Sequence, residues 1–167
     1  DAHEPFATDA SKFALFCTAA CHAVVTGAIA AVDRLHLHDW HSSLVLLLRQ
    51  YDVAYRALKK IPTVYTIHNL SLQGVRPFAG NWSSPMTWFP QLHYDRTLVA
   101  DPRHGDCINL MRTGINLADQ VHVVRLGLSK TLNQVCHLLL LHKRQGAKPN
   151  GVWLPLLLPA LPSSRGP

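Results

Sequence analysis

The chain has 167 residues, and its formal net charge of +6 would suit a nucleic-acid-binding protein if basic residues were spread over the whole domain. The charge is instead unevenly distributed. Residues 1–124 contain ten Lys and Arg and all ten Asp and Glu, whereas residues 125–167 contain six basic residues and no acidic residue. We therefore expect no nucleic-acid-binding face on the main part of the chain, whose length allows one domain with a hydrophobic core.

The last 43 residues also differ in composition, with twelve leucines and five of the eleven prolines. Their apolar runs are shorter than the roughly 20 residues that a membrane span needs, so no membrane partner is expected. The composition predicts a domain over residues 1–124 and an unrelated tail over residues 125–167, which is either disordered or translated out of frame. The four cysteines lack CxxC spacing and no signal-peptide pattern is visible, which favours the cytoplasm.

Hydrophobic periodicity predicts that helices and strands alternate along residues 1–124. Helices are predicted over residues 9–31, 41–58 and 105–119, and strands over residues 32–38, 61–68 and 121–124. The core face of the first helix is predicted to contain Phe13, Phe16, Cys17, Ala20 and Val24. Residues 69–104 show no sustained period and are predicted to form a long functional loop. This order is typical of an α/β domain with a parallel sheet and helical crossovers.

Polar residues follow each of the first two predicted strands. Asp39, Trp40 and His41 come after the first strand, and His68 and Asn69 come after the second. Ligands bind outside the carboxyl ends of the strands in such sheets. If the two strands are neighbours, both clusters therefore face one crevice.

Each of these residues also has a plainer interpretation. Asp39 could cap the following helix, Trp40 could fill the core, and His68 with Asn69 could form a simple turn. The closely spaced His36, His38 and His41 suggest a metal as an alternative: His36 and His38 share a face of the strand, and His41 or Asp39 could be the third ligand, although the spacing matches no specific metal motif. Cys17 and Cys21 are interpreted as packing residues.

Three motifs in order resemble the N-terminal catalytic domain of bacterial glycogen synthases and plant starch synthases. They are "LHLHDWHSSLVLLL" at residues 35–48, "IPTVYTIHNLSLQG" at 61–74 and "INLMRTGINLADQVHVV" at 108–124, and "DASKFALFCTAA" at 9–20 is similar to the helix that precedes them. The resemblance covers residues 9–124. It departs from the family pattern at Leu72, where Tyr is usual, at Arg112, where Lys is frequent, and throughout the segment after Val124.

The resemblance implies part of a GT-B fold, a partial Rossmann-like domain in an enzyme that transfers glucose from ADP-glucose to the non-reducing end of an α-1,4-glucan with retention. It implies no cofactor and no catalytic metal. The implied catalytic residues are Asp39, His41 and His68, and the implied substrate-binding residues are Trp40, Asn69, Gln73 and Gly74. The family's N-terminal diphosphate loop and C-terminal domain do not appear in the sequence, so the chain alone is expected to be inactive.

Two other functions are compatible with the sequence. The first is another GT-B sugar-nucleotide glycosyltransferase. The second is a non-catalytic glucan-binding fragment, in which aromatic residues of the long loop serve as sugar platforms rather than as a small loop core. These aromatic residues are Trp82, Trp88, Phe89 and Tyr94.

Overall fold

The computed structural model describes residues 7–124 of the chain, so the predicted tail over residues 125–167 lies outside the described residues. Its elements, in chain order, are α1 (Ala7–Val25), β1 (Leu35–His38), a 3-10 helix (Trp40–Ser42), α2 (Ser43–Tyr51), a second 3-10 helix (Val53–Lys60), β2 (Thr63–Ile67), β3 (Val75–Pro77), α3 (Pro85–Trp88), α4 (Arg96–Val99), β4 (Cys107–Asn109), α5 (Leu110–Leu117) and β5 (Gln120–Val123).

The predicted parallel sheet is confirmed. β2 lies between β1 and β5, and both neighbours run parallel to it. His38 is aligned with Thr66, which in turn is aligned with His122, so the carboxyl ends of all three strands reach the same edge. The helical segments between these strands make the connections of a layered α/β domain.

One face of the sheet packs against α2 and α5. Leu37, Tyr65 and Val121 point to this side and are buried. The Tyr65 hydroxyl contacts Ser43 Oγ of α2 at 3.0 Å and Met111 Sδ of α5 at 3.3 Å. Helix α2 itself is buried from Ser43 to Arg49, since α1 packs on one of its sides and α5 on another.

Helix α1 uses a narrower core face than the sequence predicts. Ala10, Ala14, Cys17 and Cys21 are buried, whereas Phe16 is 63% exposed. Small side chains at three- and four-residue steps allow α1 to lie close to the 3-10 helix Trp40–Ser42. Cys17 Sγ is 3.3 Å from the carbonyl oxygen of His41 there. The large aromatic residue is consequently left outside the contact.

The first predicted helix also ends earlier than expected, at Val25 rather than near residue 31. Gly27 has a φ of +74°, and its N–H donates to the carbonyl oxygen of Val24 at 3.3 Å. A left-handed glycine at this position is a common helix terminator. The following strand begins at Leu35, later than predicted, and residues 26–34 form the connection.

The helix predicted over residues 41–58 is three segments in the structure. Asp52 interrupts it with an extended backbone (φ −88°, ψ 125°), and Asp52 Oδ1 accepts a hydrogen bond from the N–H of Ala54 at 2.8 Å. Asp competes for backbone hydrogen bonds in this way and favours helix starts over helix interiors. A new 3-10 helix therefore begins at Val53.

The helix predicted over residues 105–119 begins later, because Cys107–Asn109 forms β4 and pairs antiparallel with β3. Asn109 then caps α5, its Oδ1 accepting a hydrogen bond from the N–H of Arg112 at 2.8 Å. The two short strands fold the long segment after β2 back towards α5. This segment contains short elements rather than the continuous loop that the sequence predicts.

A buried arginine closes the opposite, amino-terminal edge of the sheet. Arg49 donates to the carbonyl oxygens of Leu58, Lys59 and Ile61, and its Nη2 lies 3.0 Å from Asp119 Oδ2. The same carboxylate oxygen accepts from the N–H and the hydroxyl of Thr63. This network ties the starts of β2 and β5 together, at the end of the sheet remote from the polar clusters. Within residues 7–124, no helix combines the length and apolar content of a membrane span.

Candidate functional site

The polar residues at the ends of β1 and β2 contact each other directly. Asp39 Oδ1 accepts a hydrogen bond from the N–H of His68 at 2.8 Å and a longer one from the N–H of Asn69 at 3.2 Å. The two loops lie side by side because β1 and β2 are paired neighbours. The carboxylate thus holds the backbone that carries the His68 and Asn69 side chains.

Asp39 adopts an unusual backbone conformation to make these contacts, with φ 50° and ψ −173°. Residues other than glycine rarely occupy this region, and the cost is about 1–3 kcal/mol. The Asp39 side chain makes no capping hydrogen bond to the 3-10 helix that follows it. Its role in the fold is therefore to link the two loops rather than to cap a helix.

The His68 imidazole is contacted by His38, the residue before Asp39. His38 Nδ1 and His68 Nε2 are 2.9 Å apart, and His36 Nε2 lies 2.8 Å from Thr66 Oγ1. The rings of His36 and His38 are also close, with centroids 4.2 Å apart. Partial burial, together with the neighbouring His36 and His68 rings, lowers the pKa of His38 below its usual value, so the neutral form of His38 is favoured.

A cavity of about 790 Å³ opens beside these loops, between the start of α1 and the segments after β2 and α4. Trp40 and His41 form one wall. Trp40 is 5% exposed. The centroid of its ring lies 5.4 Å from that of Phe13 and 4.2 Å from that of His41. Gly74 passes directly over the Trp40 ring, where an added Cβ would come within 3.0 Å of three ring atoms.

A buried amide network supports the part of the cavity wall that contains Gln73 and Asp101. Asn109 Nδ2 donates to Gln73 Oε1 at 2.7 Å and to Asp101 Oδ2 at 2.8 Å. Gln73 Nε2 donates in turn to the carbonyl oxygen of Leu70 at 3.2 Å. Burial opposes ionisation of Asp101, but hydrogen bonds from Asn109 and from the N–H groups of Arg103 and His104 outweigh it and lower the Asp101 pKa.

Neither Asp101 nor Asn109 stands out as a site residue in the sequence. Asn109 lies within the motif at residues 108–124. The sequence alone, however, does not distinguish a buried asparagine that hydrogen-bonds a loop from an exposed asparagine that caps a helix. Asp101 sits in a segment without periodicity, and its partner is eight residues away along the chain. A pattern search over residue types could not have joined the two.

The residues singled out from sequence fall into two adjoining groups. Half-buried Asp39 and exposed His68 and Asn69 form a cluster at the ends of β1 and β2. The Asn69 side chain folds back to accept from the N–H of Ser71 at 3.0 Å. The cavity is lined by the other group, which contains Trp40, His41, Gln73 and Gly74. Trp40 and Gln73 face the cavity with side chains that are already packed or hydrogen-bonded within the protein.

The alternative metal site is not assembled. His41 turns towards α1, where its ring lies 4.6 Å from that of Phe13, whereas His36 and His38 lie on the exposed face of the sheet. Across the described part of the chain, no three His, Cys, Asp or Glu side chains are arranged as metal ligands.

Cys17 and Cys21 are buried, as predicted for packing residues, and burial raises the pKa of each thiol to about 12. Thiols with so high a pKa are poor nucleophiles.

The aromatic residues of the long segment are mostly packing residues. Trp88, Phe89 and Tyr94 lie partly buried against the core, and Trp88 Nε1 donates to Ser11 Oγ at 3.0 Å. Trp82 differs, being 55% exposed. A sugar platform built from all four residues is therefore not present, and Trp82 alone could serve in that way.

Comparison with known proteins identifies the family. A family model described as the starch synthase catalytic domain matches residues 1–134. The chain belongs to this family. It is 32% identical over 124 residues to a glycogen synthase of Clostridioides difficile, which covers 71% of the chain, and 40% identical over 119 residues to a glycogen synthase of Leptospira biflexa, which covers 70%.

The chain spans only part of these family members, 24% of the C. difficile protein and 21% of the L. biflexa protein. Among solved structures, the catalytic domain of starch synthase IV from Arabidopsis thaliana, bound to ADP and acarbose, matches 68% of the chain and 22% of its own length. The TM-score is 0.51 at 22% sequence identity, which supports the GT-B-like fold of this domain.

Proposed function

We propose that this domain is part of a hexosyltransferase of glycogen biosynthesis, which transfers glucose from ADP-glucose to the non-reducing end of an α-1,4-glucan with retention of configuration. The observation that carries the proposal is the convergence of Asp39, His68 and Asn69 at the ends of two neighbouring strands, in a chain of the starch synthase family. The named relatives are glycogen synthases, and the similar plant enzyme was solved with ADP and acarbose.

The chemistry of the cluster suits a sugar. Glycosyl transfer passes through an oxocarbenium-like state, whose positive charge a nearby carboxylate stabilises. Asp39 Oδ1 is engaged with two backbone N–H groups, and within residues 7–124 Oδ2 accepts no hydrogen bond. In this proposal Oδ2 faces the developing charge, while the exposed His68 imidazole and Asn69 amide bind glucose hydroxyls.

The cavity beside the cluster is proposed to receive the glucan. His41 contributes an imidazole to its wall, and Trp40, Gln73 and Gly74 give the wall its shape. Arg76 and Arg103 also line it, together with Asp9 and Asp101, so the wall presents both cationic and anionic side chains. Among the residues that the structure describes, the cysteines are free thiols: Cys17, Cys21 and Cys107. Free thiols are typical of reducing compartments, which supports the cytoplasm as the location of the reaction.

Because the chain spans about a quarter of its relatives, we propose that turnover requires the longer polypeptide. The first test is therefore a binding experiment on the 167-residue chain. We expect maltooligosaccharide and ADP-glucose to shift the NMR resonances of His68 and Asn69, and His68→Ala to weaken binding. His93→Ala is the matched control, since His93 is exposed and lies outside the cluster.

Absence of binding at His68 would contradict the proposed site, and transfer of glucose from ADP-glucose to glycogen by the 167-residue chain would contradict the requirement for more polypeptide. Replacing ADP-glucose with other sugar nucleotides separates this function from that of other GT-B transferases. Glycogen binding that survives Asp39→Ala and His68→Ala but not Trp82→Ala would favour the glucan-binding fragment, for which the exposure of Trp82 is the supporting observation.

A further inference from the structure

His68 is fixed at two independent points by adjacent residues of β1 and its following turn. Its backbone N–H donates to Asp39 Oδ1 at 2.8 Å, and its ring atom Nε2 lies 2.9 Å from His38 Nδ1. The rings are tilted by 33° with centroids 5.1 Å apart, so the contact is made through the ring nitrogens rather than by stacking. The ring of an exposed histidine would otherwise rotate freely about its side-chain torsions.

A hydrogen bond between two neutral imidazoles places a strict condition on their protons. Only one proton can lie between Nδ1 of His38 and Nε2 of His68, because each nitrogen is either a donor or an acceptor. If His38 Nδ1 carries it, His68 must carry its own proton on Nδ1. If His68 Nε2 carries it, His38 must be protonated on Nε2. In both arrangements the two rings have the same tautomer.

The neighbouring groups keep His38 in place for this contact. Ser42 Oγ accepts from the N–H of His38 at 2.7 Å and donates to its carbonyl oxygen at 2.9 Å. The centroid of the His36 ring lies 4.2 Å from that of His38, with the two planes tilted by 39°, and His36 is itself bonded to Thr66. Strand β5 lies on the other side of β2 from β1, and its titratable residue, His122, is aligned with Thr66.

Charged and titratable neighbours act on the protonation of His38. His36 and His68 disfavour a positive charge on its ring, and Asp39 favours one. A first proton can be shared in a charge-assisted hydrogen bond, but a second proton places donors on both facing nitrogens and breaks the contact.

We propose that His38 is a positioning residue for His68: it fixes the orientation of the His68 imidazole and constrains its tautomer. This inference rests on the proposed function for the identity of the ligand, a glucose hydroxyl, but the histidine pair itself does not depend on any ligand.

The first experiment reads the two rings directly, by nitrogen-detected NMR of the 167-residue chain at neutral pH. We expect His38 and His68 to share one tautomer. Exposed His93 serves as the internal reference for an isolated ring. Opposite tautomers in the two rings, or a mixture of tautomers in His68 like that of His93, would overturn the proposal.

Two substitutions separate positioning from a general effect on folding. His38→Asn places an amide group where Nδ1 lies and can keep the contact with His68, whereas His38→Gln places its amide farther out, near the position of Nε2. Both are polar and tolerated at an exposed strand position. We expect the asparagine variant to retain a fixed His68 tautomer and the glutamine variant to give His68 the mixed tautomers of His93. Equal behaviour of the two variants would contradict the inference.

Ligand binding gives the functional test. Loss of one fixed hydrogen-bonding group predicts weaker maltooligosaccharide binding by about 5- to 10-fold in His38→Gln, with His38→Asn close to the wild type. If His38 and His68 of the wild-type chain share one tautomer but the chain binds neither sugar nor ADP-glucose, the positioning role stands and the proposed function fails. If it binds sugar and His38→Gln changes neither the His68 tautomer nor the affinity, the positioning role fails.

Discussion

At the scale of single residues, His38 and Asp39 are adjacent in sequence and hold different parts of the same histidine. His38 contacts the ring of His68, and Asp39 accepts from its backbone N–H. Asp39 does so from a backbone conformation that favours glycine, with φ 50°. The local cost of this conformation is offset by contacts between two loops, which makes Asp39 a sensitive position for substitution.

We expect three substitutions of Asp39 to rank in a definite order of stability. Asp39→Asn keeps an oxygen acceptor and tolerates positive φ, so its free energy of unfolding should lie within about 1 kcal/mol of the wild type. Asp39→Ala keeps the strain but removes the acceptor, which should cost about 1–2 kcal/mol. Asp39→Gly removes both, and should lose less than the alanine variant because glycine adopts this conformation readily.

Urea unfolding followed by circular dichroism measures this order, with Asp33→Asn as a control, since Asp33 is exposed and distant from the β2 loop in sequence. Equal losses in the asparagine and alanine variants would show that the negative charge, rather than the acceptor geometry, stabilises the loop contact.

Sequence reasoning was effective for the residue types of the site and less so for their individual geometry. The positions of Asp39, His68 and Asn69 at strand ends follow from periodicity and from the layout of parallel sheets. The use of the Asp39 carboxylate as a bridge to backbone N–H groups does not, because it depends on a positive φ that no local pattern for aspartate indicates. The catalytic and binding roles of these residues remain predictions.

At the scale of elements, the contact between α5 and β2 is unusually close. Gly114 lies in the interior of α5, and its backbone faces the ring of Tyr65, which is fully buried. A Cβ built at Gly114 would overlap several atoms of that ring. The glycine therefore sets the distance between the helix and the central strand.

We expect Gly114→Ala to destabilise the protein, although alanine in a helix interior normally gains about 1 kcal/mol over glycine. Overpacking against Tyr65 should cost about 1–3 kcal/mol and outweigh the gain in helix propensity. Gly105→Ala is the matched control, because a Cβ there meets nothing within 4 Å, and it should change stability by less than about 0.5 kcal/mol. Thermal unfolding of both variants tests this, and a stabilised Gly114→Ala would contradict the close contact.

The alternation of elements could be predicted from sequence, but several boundaries could not. The parallel strands follow from short apolar runs between helical patterns. The break at Asp52 depends on whether one side chain hydrogen-bonds the next turn, and β4 depends on pairing with β3, about thirty residues away. Neither produces a periodic signal in its own segment, so periodicity predicts longer helices through both.

At the scale of the whole molecule, apolar surface is concentrated near α1 and the free edge of β1. Leu15 and Phe16 are 72% and 63% exposed, and Phe16 borders an apolar groove of about 480 Å³ between α1 and β1. In the part of the chain that the structure describes, β1 pairs with a strand on one side alone. Exposed apolar patches and open strand edges both promote association.

We expect the 167-residue chain to self-associate through this surface. Phe16→Lys should increase the monomer fraction measured by sedimentation velocity, because it introduces a charge at the border of the groove. Val53→Lys is the control: Val53 is 75% exposed but lies in a different segment, outside the groove. An equal gain in monomer for both variants would show that added charge matters and that the α1 and β1 surface does not.

The sheet order also bears on how the chain folds. His38 and Thr66 are paired across β1 and β2, whereas Thr66 and His122, paired across β2 and β5, are twice as far apart along the chain. Doubling a loop adds about 0.6 kcal/mol to the entropy cost of closing it. Chain entropy therefore favours joining β1 to β2 first, and this pairing alone brings His38 and Asp39 to His68. The candidate site can thus assemble during folding before the sheet that supports it is complete.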